Sequence, residues 1–129
     1  MLYADASALV KLVLDEPESA ALSDYLGDDP EIATSRLALV EVTRAIKVAN
    51  DDPEVHAEAA SLFDRCLLLD VDDPVLDRAA QLSSIQLRAL DAVHLASALQ
   101  VGSEELVAYG RRLVEAAGRA GLRTASPGT

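Results

Sequence analysis

Three carboxylates stand inside apolar stretches, where an ionised group is costly. Asp5 lies in LYADASAL, Glu41 in SRLALVEVTRAI and Asp91 in LRALDAVHLASAL. Around Glu41 the residues Leu37, Ala38, Leu39, Val40, Val42, Ala45 and Ile46 predict a helix that is apolar nearly all round and mostly buried. An unpaired ionised glutamate there would be strongly unfavourable. Each acid has a local use available to it. Asp5 and Asp91 suit helix N-caps or first-turn acids facing the helix dipole, and Glu41 can pair with Arg44 three residues on. Taken together, three acids from separate elements suggest one hard-cation site. Oxygen ligands suit Mg²⁺ or Mn²⁺, and the chemistry would be metal-assisted phosphodiester hydrolysis.

Other chemistries lack their residues. His56 and His94 are isolated and a single cysteine, Cys66, completes no zinc set. His94, between Val93 and Leu95, reads as a packed or rim histidine. There is no GxGxxG, GxxxxGK[ST] or GxSxG pattern, and Ser7 has no evident histidine partner. Phe63 and three tyrosines are too few for a base-stacking platform.

The elements that must position these acids alternate. Apolar runs predict strands at 2–4, 31–34, 67–71, 106–109 and 122–125. Helical spacing, Pro17, Pro53 and Pro74 as openers, Ser35 as a cap, and Gly27 and Gly121 as stops predict helices at 7–14, 17–26, 36–50, 53–66, 74–83, 90–99 and 111–120. Such alternation predicts an α/β domain with a parallel sheet covered on both faces. Ligands of such sheets sit outside the carboxyl ends of the strands. Asp5 ends the first strand, and Gly110 follows the fourth.

The chain has 129 residues, half of them hydrophobic, which predicts one domain over 1–129 with a frayed tail at 126–129. No apolar run approaches the roughly 20 residues of a membrane span, and the opening MLYADASALVKL does not read as a signal peptide. A reducing cytoplasmic setting is expected. The net charge of -11 argues against binding nucleic acid over the whole surface. The acid pairs Asp15-Glu16, Asp28-Asp29, Asp51-Asp52 and Asp72-Asp73 read as turns and caps. Basic residues gather around Arg36, Arg44 and Lys47, and again at Arg111 and Arg112.

Over essentially its whole length the chain resembles a PIN domain, and within that family it looks like a VapC-type toxin of a toxin–antitoxin pair. YADASALVKL, with Glu18-Ser19 after it, resembles the first acidic motif. SRLALVEVTRA resembles the second, LRALDAVHLASAL the third, and LVAYGRRLVEAAGRAGL followed by SPG the closing strand and helix. The resemblance implies a PIN-like three-layer α/β/α fold with a short, mostly parallel central sheet, usually as a homodimer. It implies ribonuclease activity with Mg²⁺ or Mn²⁺ on structured RNA, transfer RNA included. It also implies a VapB-type antitoxin lying over the acidic groove. By position, Asp5, Glu41 and Asp91 would be the metal ligands and Ser7 a supporting polar group. Under the matched topology Arg36, Arg44, Lys47, Arg111 and Arg112 would lie around the strand ends and grip RNA phosphates. The departure is Gly110, where the family usually has a fourth acid, in Ala108-Tyr109-Gly110-Arg111-Arg112-Leu113. That glycine keeps open an alternative, a PIN domain with little or no catalysis that binds RNA or antitoxin. A response-regulator receiver would need an acidic pair at the first strand and a lysine near the last; this chain has one acid at Asp5 and only Lys11 and Lys47.

Overall fold

Strands of three or four residues punctuate helical segments along the chain. The computed structural model describes all 129 residues. In order they form β1 (Leu2–Ala4), α1 (Ala6–Val13), α2 (Ser19–Leu26), β2 (Ile32–Ser35), α3 (Leu37–Ala49), α4 (Pro53–Asp64), β3 (Leu67–Leu69), α5 (Asp73–Gln81), α6 (Ala89–Val101), β4 (Glu105–Val107), α7 (Arg111–Arg119) and β5 (Arg123–Ala125). The strands pair in the order β3-β2-β1-β4-β5. All four pairings are parallel, so the sheet expected to be mostly parallel is parallel throughout.

Alternation along the strands divides the core into two layers. Ala4, Ile32 and Val107 pack with Leu9, Leu22, Val42, Ile46, Leu62 and Phe63, from α1 to α4. Tyr3, Ala33 and Leu106 pack with Leu95, Ala98, Leu113 and Ala117, from α6 and α7. Three-layer α/β/α packing follows. The sequence of α3 suggested burial all round, but only Ala38, Val42 and Ile46 are fully buried, a stripe spaced by four. Val40 is 58% and Val48 89% exposed, because the helix covers only one face of the sheet.

Two of the turn acids act as caps. Asp52 Oδ1 accepts from the Glu54 N–H at the start of α4, and Asp72 Oδ1 from the Val75 N–H at the start of α5. Ser35 Oγ accepts from the Leu37 N–H, as expected of a residue opening α3. Pro17 does not open α2. The helix starts at Ser19, whose hydroxyl accepts from the Glu16 N–H and donates to the Leu14 carbonyl, so a turn intervenes.

Residues 126–129, read from the sequence as frayed, are tied to the sheet. Ser126 Oγ donates to the Ala108 carbonyl at 2.5 Å, and the Tyr109 hydroxyl donates to the Pro127 carbonyl at 2.8 Å. Gly128 (φ 91°) lies against α2 so closely that a Cβ would meet the Ala21 Cβ at 3.1 Å. Removing residues 126–129 therefore costs two hydrogen bonds, about 1 kcal/mol each. Urea unfolding of the shortened chain should show a lower midpoint with little change in slope.

Candidate active site

The sheet order reverses between β1 and β4, which makes the gap at their carboxyl ends the switch point where ligands of such sheets bind. Asp5 stands there. Its N–H donates to the Val107 carbonyl at 3.3 Å, which anchors it to β4. It is both a strand-end acid and the N-cap of α1: Oδ1 accepts from the Ala8 N–H at 3.1 Å and from the Ser7 hydroxyl at 2.6 Å. Ser7 in turn accepts from the Tyr109 N–H at 3.0 Å, so the end of β4 holds Ser7 and Ser7 holds Asp5. Both bonds fall on Oδ1, which leaves Oδ2 without a protein partner. Asp5 is 6% exposed. Burial pushes its carboxyl above the ordinary range, against the opposing influence of Ser7, His94 and Ala8.

Glu41 comes from the second turn of α3, and its side chain is 25% exposed. It does not pair with Arg44, which makes no ion pair. Its partner is His94: Nε2 lies 2.6 Å from Oε1. Again one oxygen is bound and the other, Oε2, has no protein partner. Asp5 and Glu41 are close enough for the charge of one to bear on the other.

Asp91 stands in the first turn of α6, half-buried, one turn before His94 on the same face. It lines a cleft of about 560 Å³ with Gly110, Arg88, Arg111 and Arg112. The expectation of one three-carboxylate sphere is not met in full. No group of three or more His, Cys, Asp or Glu side chains is close enough to hold a metal ion. Asp5 and Glu41 interact, while Asp91 is half-buried in a cleft whose lining includes neither of them.

The basic residues divide. Arg111 and Arg112, at the start of α7, line the same cleft as Asp91. Arg36 is at the strand ends, but its Nε is bound to Asp70 at 2.7 Å. Arg44 is exposed on α3. Lys47 was expected near the strand ends and is not: it sits in the last turn of α3 beside Asp51, about 9 Å along the helix axis beyond Glu41. Helix α3 starts at the carboxyl end of β2 and runs back along the sheet, which carries Lys47 away. Lys11 is also committed. It bonds Glu16 and Glu18, each at 3.3 Å, and lies 4.6 Å from the centre of the Tyr109 ring.

Sequence reasoning missed three residues. His94 reads as a packing residue, although Asp91-x-x-His94 spacing already puts it on the face of an acid. Tyr3 gives no signal beyond being apolar enough for β1. Arg88 stands in the Asp91 cleft, and nothing in its sequence surroundings singles it out.

The donor set is consistent with a hard divalent cation. It offers carboxylate oxygens, two of them unpartnered, and no thiolate. Mg²⁺ is commonly held by one or two carboxylates together with waters and substrate phosphate, so Asp5 and Glu41 suffice in number.

The PIN domain family profile matches residues 2–119. Ribonuclease VapC35 of Mycobacterium tuberculosis is 40% identical over 134 residues, covering 99% of this chain and 98% of the relative. Among solved structures, M. tuberculosis VapC20, described as a sarcin-ricin loop cleaving toxin, superposes with a TM-score of 0.78 at 15% identity, covering 98% of this chain and 100% of that one. A toxin–antitoxin complex from Klebsiella pneumoniae gives 0.73 at 18% identity, covering 98% of both chains. These two likenesses concern the fold.

Proposed function

This chain belongs to the PIN-domain family, in its VapC branch, and on that premise we propose that it is a metal-dependent endoribonuclease, the toxin of a VapBC-type pair inhibited by a VapB-type antitoxin. The observation that carries the reading is Asp5 at the switch point of the sheet, with Glu41 close enough for their charges to interact. Each carboxylate has one oxygen fixed by the protein and one left for a ligand. The ribonuclease name of a relative at 40% identity supports the activity, and the solved toxin–antitoxin complex of the same fold supports the partner.

In this reading Asp5 and Glu41 would hold Mg²⁺ or Mn²⁺ through the carboxylate oxygens that have no protein partner, and Asp91 would contribute from its cleft. Ser7 keeps Asp5 from rotating. When bound, the cation stabilises charge on the phosphoryl oxygens and lowers the pKa of the attacking water. Arg111 and Arg112, with Arg88 beside them, grip the phosphates of a structured RNA such as transfer RNA; Arg36 and Arg44 flank the other side. The protein works in the cytoplasm as a homodimer. No helix is long and apolar enough to cross a membrane.

The Arg111→Ala/Arg112→Ala variant is expected to bind RNA more weakly and with a flatter salt dependence. The slope of log K against log salt should fall by about 0.7 for each single-strand phosphate that is no longer neutralised. Arg111 also lies 3.5 Å from Glu115, so a fall matching one phosphate instead of two would assign that arginine to the ion pair. An unchanged slope would remove both from the RNA surface.

A second reading is favoured by one observation. Gly110 carries no side chain at the rim, so the site lacks a fourth acid. A protein with little or no catalysis, acting by binding RNA or antitoxin, follows from that. Expression in cells separates the two. A nuclease arrests growth and degrades RNA, co-expression of the product of the neighbouring gene relieves the arrest and co-purifies, and Asp5→Asn is harmless. Normal growth with intact RNA would favour the binding reading.

A further inference from the structure

His94 is 1% exposed, yet both ring nitrogens are engaged. Nδ1 lies 2.7 Å from the Tyr3 hydroxyl, and Nε2 lies 2.6 Å from Glu41 Oε1. The Tyr3 oxygen also accepts from the Ser35 N–H at 3.1 Å. A carboxylate can only accept, so the ring carries its proton on Nε2, facing Glu41. In the neutral ring Nδ1 is then an acceptor and takes the Tyr3 hydroxyl proton. Burial pushes the Tyr3 phenol well up, so it keeps its proton. The edge-on packing of the two rings, with centroids 5.8 Å apart, fixes the geometry further.

We infer that His94, locked by Tyr3, is a positioning residue that fixes Glu41 Oε1 and so leaves only Oε2 free to meet a cation. The inference rests on the proposed metal site and assigns it a supporting pair. The bond directions in the chain Ser35 N–H, Tyr3 O–H, His94 Nε2–H, Glu41 are set from its carboxylate end, where Glu41 can only accept. The chain ties the end of β2, the middle of β1 and the second turn of α6 to one carboxylate on α3. Outer hydrogen bonds of this kind typically alter metal affinity 10–100-fold. A buried packing histidine would have no reason to aim Nε2 at the acid.

Two measurements test this. The first needs no metal: the imidazole ¹⁵N spectrum of the metal-free chain should show His94 as the Nε2–H tautomer, and Tyr3→Phe should disturb that preference. An Nδ1–H tautomer would overturn the inference. The second is Mn²⁺ titration followed by the electron paramagnetic resonance of the free ion. His94→Ala should weaken binding about 10–100-fold and Tyr3→Phe by less. His94→Gln, which can still donate to Glu41, should recover most of the loss. Leu95→Ala, a buried neighbour on α6, should lower the melting temperature without changing Mn²⁺ affinity. Wild-type affinity in a folded His94→Ala variant would overturn the inference and leave the nuclease reading standing. The predicted tautomer in a wild-type chain that takes up no Mn²⁺ would overturn the assigned role along with the metal site, while leaving the bond pattern as described.

Discussion

Replacing Asp5 with asparagine is expected to abolish RNA hydrolysis and to make the metal-free protein more stable. Asparagine keeps Oδ1, which accepts from both Ser7 and the Ala8 N–H, so the cap of α1 survives. What is lost is the anionic oxygen at the Oδ2 position. A cation that supplies several kcal/mol of transition-state stabilisation corresponds to a loss of about a thousandfold or more in rate. The stability gain comes from burial. The folded state holds the Asp5 carboxyl above its unfolded value, chiefly by desolvation. Stability from a group raised in this way is fully present below the unfolded pKa, about 3.9, and is lost as pH rises through the folded one. Asparagine does not titrate. The melting temperature of Asp5→Asn should therefore exceed that of the wild type at neutral pH, and the gap should close toward pH 4. Added Mg²⁺ or Mn²⁺ should raise the wild type alone. A variant equally active, or less stable at neutral pH, would contradict the role given to Asp5.

The second large effect is expected from Gly110→Asp. Gly110 has φ -73° and ψ 120°, an extended conformation open to any residue, and a Cβ there meets nothing within 4 Å. It is also the N-cap of α7, a helix without a side-chain cap. An aspartate would cap it, adding a few tenths of a kcal/mol over glycine, and would place a fourth carboxylate across the cleft from Asp91. Half-saturation of cleavage by Mn²⁺ should shift about tenfold lower, equivalent to about 1.4 kcal/mol. If capping alone operates, the melting temperature rises slightly and the metal dependence stays put. A variant that cleaves where the wild type does not would show that glycine has silenced the site.

The strands and the acids were legible because their signals are local. Asp5, after the run 2–4, and Gly110, after the run 106–109, stood beyond strand ends before any pairing was known; that their strands are neighbours came with the sheet order. What stayed hidden depends on long-range partners. The Glu41–His94 bond spans 53 residues and the Tyr3–His94 bond 91. Sequence offered Glu41 only its helix neighbour Arg44, and the fold chose a histidine from the other layer. Lys47 was misplaced for a related reason: its distance from the strand ends is set by the direction of α3. The tail looked frayed because its polar residues show nothing of the Ala108 and Tyr109 groups that bind it.

The most direct test is cleavage of purified transfer RNA by the antitoxin-free chain, with Mn²⁺ or Mg²⁺ and again after chelation, alongside Asp5→Asn. The account predicts discrete fragments with metal, none after chelation, and none from Asp5→Asn. Intact RNA at every metal concentration, or fragments that persist with chelator or with Asp5→Asn, would contradict it.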